Sequence, residues 1–170
     1  MTESNSTALA PARDGIPPRR LDLLVLFGLL SVVTLAAGGW LTMLGLGPWY
    51  DELAVPWFQP PPWAFTPTWT VIFILLAIAT HRIARRGAVA RAALVVYGVQ
   101  LVLNMLWSLF FFPMQSPELA LVDAVALVLI VGTMIVLYGR IDSVAGWMLV
   151  PYGLWMLLAI AINLWVVRHN

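Results

Sequence analysis

Residues 23–44 read LLVLFGLLSVVTLAAGGWLTML, a run from Leu23 to Leu44 without one ionisable side chain. A helix rises 1.5 Å per residue, so crossing a hydrocarbon core of about 30 Å takes roughly 20 apolar residues, and this run has that length. Four comparable stretches follow: Pro67–Ile83, Ala92–Phe112, Leu119–Tyr138 and Val144–Val167. The breaks between them carry the Pro, Gly and charge that a lipid-buried backbone could not accommodate, because all its N–H and C=O groups must be paired internally. The reading is an all-α integral membrane protein, a five-transmembrane-helix bundle over residues 21–170. Residues 1–20, rich in Ser, Pro, Ala and Arg without periodicity, are expected to form a disordered tail. Arg19-Arg20 before an apolar run resembles a secretory signal. The run is longer than a signal core, however, and Ala36-Ala37-Gly38-Gly39-Trp40 is a poor cleavage site, so it reads as an uncleaved first helix.

Charge sets the expected orientation. The chain has no lysine, and eight of its nine arginines fall on one side of the segments: Arg13, Arg19 and Arg20 before the first, Arg82, Arg85, Arg86 and Arg91 between the second and third, and Arg140 between the fourth and fifth. Only Arg168 falls on the other side. By the positive-inside rule the N-terminus is cytoplasmic, and the first loop and the C-terminus face out of what is expected to be a bacterial cell membrane. A chain that is 62% hydrophobic and 10% charged could not cover itself with polar surface as a soluble fold. The arginines are accounted for by topology, so neither a nucleic acid nor an acidic partner is implied.

Absent residue types exclude several chemistries. Without cysteine there is no disulfide, thiolate metal site or cysteine-ligated haem. The two histidines, His81 and His169, sit at helix ends and do not converge with other donors, so no metal site is expected. A retinal Schiff base would need a lysine amine.

Tryptophan is the unusual resource, with nine in the chain. Trp40, Trp147 and Trp165 suit the aromatic belt at the membrane interface. The first loop differs: Pro48-Trp49-Tyr50-Asp51-Glu52-Leu53 and then Pro56-Trp57-Phe58-Gln59-Pro60-Pro61-Pro62-Trp63-Ala64-Phe65 combine rigid proline with large aromatic area. Proline lowers the entropy of the free loop, so the segment reads as a structured lid that brings Trp57, Trp63 and Phe65 over the bundle. On the third helix Gln100, Asn104, Trp107, Ser108 and Phe111 share one face by helical spacing. Tyr152, Trp155, Ala159 and Asn163 do so on the fifth, and Trp69, Phe73 and Leu76 on the second. Single amides in membranes often only hydrogen-bond a neighbouring helix, at about 1 kcal/mol each. Aromatic and amide stripes together point to a pocket, because ligand sites are mostly apolar with a few placed polar groups. Asp123 is the only acid well inside a span. An intramembrane carboxylate is a functional candidate, and it equally suits a structural bond to a neighbouring helix or to the lid.

These motifs resemble a known family. Trp49-Tyr50, Leu53, Pro56-Trp57, Pro60-Pro61, Trp63, Phe65 and Trp69 are followed in order by Gln100-Leu101, Asn104, Trp107-Ser108 and Phe111-Phe112. Ala120-Leu121-Val122-Asp123, then Pro151-Tyr152, Trp155 and Asn163 complete a pattern similar to the TspO/MBR family, the tryptophan-rich sensory proteins related to the mitochondrial translocator protein or peripheral-type benzodiazepine receptor. The resemblance implies a five-helix bundle whose first loop caps a cavity that binds porphyrins and, in some members, sterols or benzodiazepine-type ligands. It also implies a homodimer. Some members are linked to light-dependent porphyrin breakdown through two cavity tryptophans at the positions of Trp69 and Trp155. Two departures stand out. Phe73 occupies a position often held by tyrosine, and Asn163-Leu164-Trp165-Val166-Val167-Arg168 lacks the tyrosine of the sterol-associated segment.

Physical chemistry supports a porphyrin-like ligand independently. A planar aromatic dianion would stack on Trp and Phe faces, each offset contact contributing about 0.5–1.5 kcal/mol beyond burial, with its carboxylates at the polar mouth. No cofactor is obligatory, and without Cys or a suitably placed His the site is expected to favour metal-free porphyrin or to bind haem without axial ligation. Three function classes stay open: a tetrapyrrole-binding receptor or regulator, a light-dependent porphyrin-oxidising enzyme using Trp69 and Trp155, and a small transporter. No Ser/His/Asp or paired-carboxylate constellation suggests conventional catalysis, and a transporter would be expected to show internal repeats or broken helices.

Overall fold

A computed structural model describes residues 20–170. The helices are α1 (Arg20–Gly45), α2 (Pro48–Glu52), α3 (Pro62–Ala84), α4 (Arg91–Phe111), α5 (Pro117–Ile141), α6 (Ser143–Met148) and α7 (Val150–His169), with a 3-10 turn at Gly87–Ala90. There is no strand among the described residues. Five stretches are long and apolar enough to cross a membrane: Leu21–Gly45, Pro62–Ala84, Gly87–Phe111, Pro117–Ile141 and Ser143–His169. This is the expected five-span, all-helical architecture. The tail expected over residues 1–20 lies outside the described residues apart from Arg20, where α1 begins.

Two boundaries depart from expectation. The second span starts at Pro62 rather than Pro67, so Trp63 and Phe65 are helical and not part of the loop. Pro61 is extended (φ −62°, ψ 149°) and Pro62 takes the first helical position, where a ring-fixed φ suits the helix and the missing N–H costs nothing. Pro67 then sits inside the helix, near enough to its start for the lost bond to Trp63 to be tolerated. The last span is divided at Leu149 into α6 and α7. Pro151, in the first turn of α7, has no N–H to offer the carbonyl of Trp147, which ends the continuous ladder there.

α1 lies on α3 and α4, α4 packs along α5, α5 along α7, and α6 contacts both α3 and α5. On α1 the buried positions Phe27, Ser31 and Thr34 follow the helical repeat, and most of its remaining apolar surface is exposed where lipid would cover it. Phe27 meets Tyr97 of α4 edge-on at 5.5 Å, and Thr80 of α3 bonds Tyr138 of α5 at 3.0 Å between hydroxyls. The α5–α6 turn is tight because glycines face each other: a Cβ on Gly146 would stand 2.6 Å from the Cα of Gly139.

Arg82, Arg85, Arg86, Arg91 and Arg140 gather at one end of the bundle, on the last turn of α3, the link to α4 and the last turn of α5. The first loop and the end of α7 meet at the other. There the Asn170 side chain accepts from Ala54 N–H at 2.9 Å and donates to the Ala54 carbonyl at 3.2 Å.

Candidate ligand site within the bundle

Helical spacing on α3 puts Phe65, Trp69 and Phe73 in one row, and on α7 it does the same for Tyr152, Trp155 and Ala159. The rows meet. Trp69 lies 5.9 Å from Phe73, 6.0 Å from Tyr152 and 6.4 Å from Trp155, ring centre to ring centre, and Phe65 closes on Trp155 at 5.5 Å. Ala159 is half-buried one turn beyond Trp155 on α7, and like Trp69 and Trp155 it packs against the cluster that contains Tyr152 and Met156. Most of these contacts are edge-to-face, the arrangement that the ring quadrupole favours.

A polar network on α4 supports the aromatic cluster. The buried Tyr152 hydroxyl accepts from Gln100 Nε2 at 2.8 Å and from Asn104 Nδ2 at 3.1 Å, two amides one turn apart. Both lone pairs of that oxygen are then used, and its proton is left to donate. Asp123 is buried in the bundle within electrostatic range of the same hydroxyl, so it sits inside rather than at the lid. Its Oδ2 and the Oε1 of Gln100 have no hydrogen-bond partner. The interior therefore presents two uncommitted acceptors beside the aromatic rings.

Trp107 and Asn163 form a neighbouring group. Trp107 Nε1 donates to Asn163 Oδ1 at 3.1 Å, and Asn163 Nδ2 donates to the Pro117 carbonyl at 2.9 Å, so one amide joins α4, α7 and the start of α5. Trp107 stacks on Phe111 at 5.2 Å, and α2 rests there through Trp49 against Phe111 (6.0 Å) and Tyr50 against Phe112 (5.7 Å). The first loop thus packs on the bundle through α2 and through Leu53 and Ala54, which follow it.

Trp57 and Trp63, expected as lid contacts, lie outside both groups at 93% and 75% exposure. Trp57 meets the ring of its neighbour Phe58 at 5.7 Å. Trp63 belongs to the first turn of α3, and residues two apart on a helix point about 200° away from each other, so Phe65 faces in and Trp63 faces out.

Sequence reasoning missed one polar centre. At the arginine-rich end, Arg82 reaches both oxygens of Asp142, at 3.0 and 2.9 Å, and Arg86 reaches Oδ2 at 2.9 Å. The same carboxylate accepts from Ala145 N–H at 3.2 Å and caps α6. The guanidiniums of Arg82 and Arg86 hold the Asp142 carboxyl below its ordinary range, at about 2. The signal was present in an acid immediately before an apolar run, which is a helix-start mark, and in two arginines one turn apart. Among the described residues no group of three or more His, Asp or Glu side chains could hold a metal ion.

A family model described as TspO/MBR matches residues 26–168. The chain is 34% identical over 125 residues to the tryptophan-rich protein TspO of Chlorobaculum tepidum, covering 72% of this chain and 79% of that one. It is 34% identical over 122 residues to the tryptophan-rich sensory protein of Cereibacter sphaeroides, covering 72% and 77%. With the CrtK protein of Rhodobacter capsulatus it shares 33% over 150 residues, covering 86% and 94%. A match across nearly the whole described chain, on a five-span helical bundle, places this protein in the TspO/MBR family.

Proposed function

We propose that the protein is a membrane receptor or regulator that binds a porphyrin of the protoporphyrin IX type between α3, α4 and α7. The observation that carries this reading is the convergence of Phe65, Trp69 and Trp155 from two helices onto a buried amide–hydroxyl network. Rings that now meet edge-on would exchange those contacts for stacking on a larger planar ring, with apolar burial supplying most of the affinity. Gln100, Asn104 and Tyr152 hold Trp69 and Trp155 at their spacing, and the unpartnered Asp123 and Gln100 oxygens would accept from polar groups of the ligand. Trp107 and Asn163 fix the α2 cap beside the site. Titration with protoporphyrin IX in the dark, followed by tryptophan quenching, tests this: saturable quenching that is lost when Trp69 and Trp155 are both replaced by alanine supports it, and identical quenching in that variant contradicts it.

A second reading rests on the same geometry. Two indoles with ring centres 6.4 Å apart could exchange an electron with an excited porphyrin, so Trp69 and Trp155 would serve as redox partners of a light-dependent oxidation in which dissolved dioxygen is the oxidant that takes up the ligand's electrons. In this proposal the arginine-rich end is cytoplasmic, the α2 cap and Asn170 face out of the cell membrane, and the functional unit is a homodimer.

A further inference from the structure

We infer that a groove on the lipid-facing side of α5 and the α6–α7 span is a binding site for one anionic phospholipid from the leaflet on the arginine-rich side. Two grooves, of about 250 and 270 Å³, lie end to end and share Ile135 and Val150. Together they run from Ser143 and Trp147 at the arginine-rich end to Val128 and Leu157 deep in the span. Apart from Ser143 their lining is apolar, and it includes none of the residues of the porphyrin site proposed above. The groove exists because side chains are missing. A Cβ built on Gly132 or Gly139 meets no atom within 4 Å, so both leave space on the side where a side chain would stand, although the Gly139 backbone is closely approached by Gly146.

Shape and charge select the occupant. From Val128 to Gly139 the groove follows α5 for about 16 Å at 1.5 Å per residue, which gives a cross-section of roughly 30 Å². That is narrow for a second helix, about 10 Å across, and suits one acyl chain. At its mouth Trp147 is 74% exposed, as expected of an indole at headgroup depth. Arg140 follows Gly139 directly, is exposed, and makes no ion pair among the described residues. Next to Ser143, Asp142 is shared by Arg82 and Arg86. The arginine-rich end beside the groove thus carries positive charge in excess of Asp142, with exposed Arg140 next in sequence to the lining Gly139, and guanidinium binds a phosphate diester in paired, charge-assisted hydrogen bonds. A neutral headgroup would gain less from that excess.

The test is native mass spectrometry of the full chain from mild detergent, titrated with phosphatidylglycerol or phosphatidylcholine of the same acyl composition. Wild type should hold one phosphatidylglycerol with a several-fold preference over phosphatidylcholine. Gly132→Leu projects into open groove, so it should keep its helicity and Tm while affinity for both lipids falls by about tenfold or more. Arg140→Gln should keep acyl-chain binding and lose the preference for phosphatidylglycerol. The inference is overturned if Gly132→Leu retains wild-type lipid occupancy, or if wild type binds both lipids equally. It is also overturned if Gly132→Leu shifts a dimer to monomer with lipid unchanged, because the groove would then be an interface between copies of the chain. Porphyrin quenching measured on the same variants should stay at the wild-type level, which separates this site from the aromatic one.

Discussion

The Tyr152 hydroxyl is the acceptor on which two buried amides depend, those of Gln100 and Asn104. Tyr152→Phe keeps the ring against Trp69 and strands both NH2 groups away from water. A buried donor left without a partner costs about 1–3 kcal/mol, so the Tm of the variant in detergent should fall clearly. An unchanged Tm would show that the amides find other acceptors, such as the free Asp123 oxygen. Trp69 and Trp155 are predicted to separate binding from photochemistry. Trp→Phe retains an apolar face but makes electron removal harder, so the double variant should keep much of its dark porphyrin affinity and lose light-dependent degradation. If porphyrin degrades at equal rates with wild type, with the double variant and free in detergent, the protein only binds.

At the scale of elements, contacts between helix backbones set sharp limits. Gly146→Ala would drive a methyl into Gly139, backbone against backbone, and Gly45→Ala would do the same against Phe112. Overpacking of this kind costs about 1–3 kcal/mol, while Gly98→Ala, which meets open space, should be neutral or slightly stabilising through helix propensity. Thermal unfolding of the three variants side by side checks the order. The spans themselves were legible because length and apolarity alone decide them. The early start of α3 was not, since a run of prolines reads as loop until it is seen that Pro62 occupies a first-turn position where proline is welcome. The division of the last span was hidden for the opposite reason: Pro151 lies in a strongly apolar run that masks a local break.

For the whole molecule, the Asp142 junction locks the arginine-rich end, and its pH dependence has a definite sign. The folded-state carboxyl is held at about 2 against an ordinary 3.8, so the clamp is fully present above about pH 4 and is lost as pH falls toward 2. Asp142→Asn can still cap α6 but cannot pair with Arg82 and Arg86. Its Tm should lie below wild type at pH 7, and the gap should close as pH falls toward 2. A gap independent of pH would assign the effect to packing rather than charge. The site was partly legible on this scale too. Helical spacing identified the rows on three helices, and the structure brings the Trp69 and Trp155 rows into contact. Whether an aromatic near a helix start points in or out depends on where the helix begins, which is why Trp63 is exposed while Phe65 meets Trp155. The Asp142 clamp escaped notice because its arginines already had a sufficient explanation in membrane topology.

The claim that the aromatic interior takes a porphyrin is tested most directly at Ala159, which is half-buried and packs against the same cluster as Trp69 and Trp155. Ala159→Phe puts a ring where the ligand needs space. Dark titration with protoporphyrin IX should show saturable tryptophan quenching for wild type and an affinity reduced by about tenfold or more for Ala159→Phe, with little change in Tm. Wild-type affinity in Ala159→Phe, together with loss of binding in the outlying Trp165→Ala, would contradict the account.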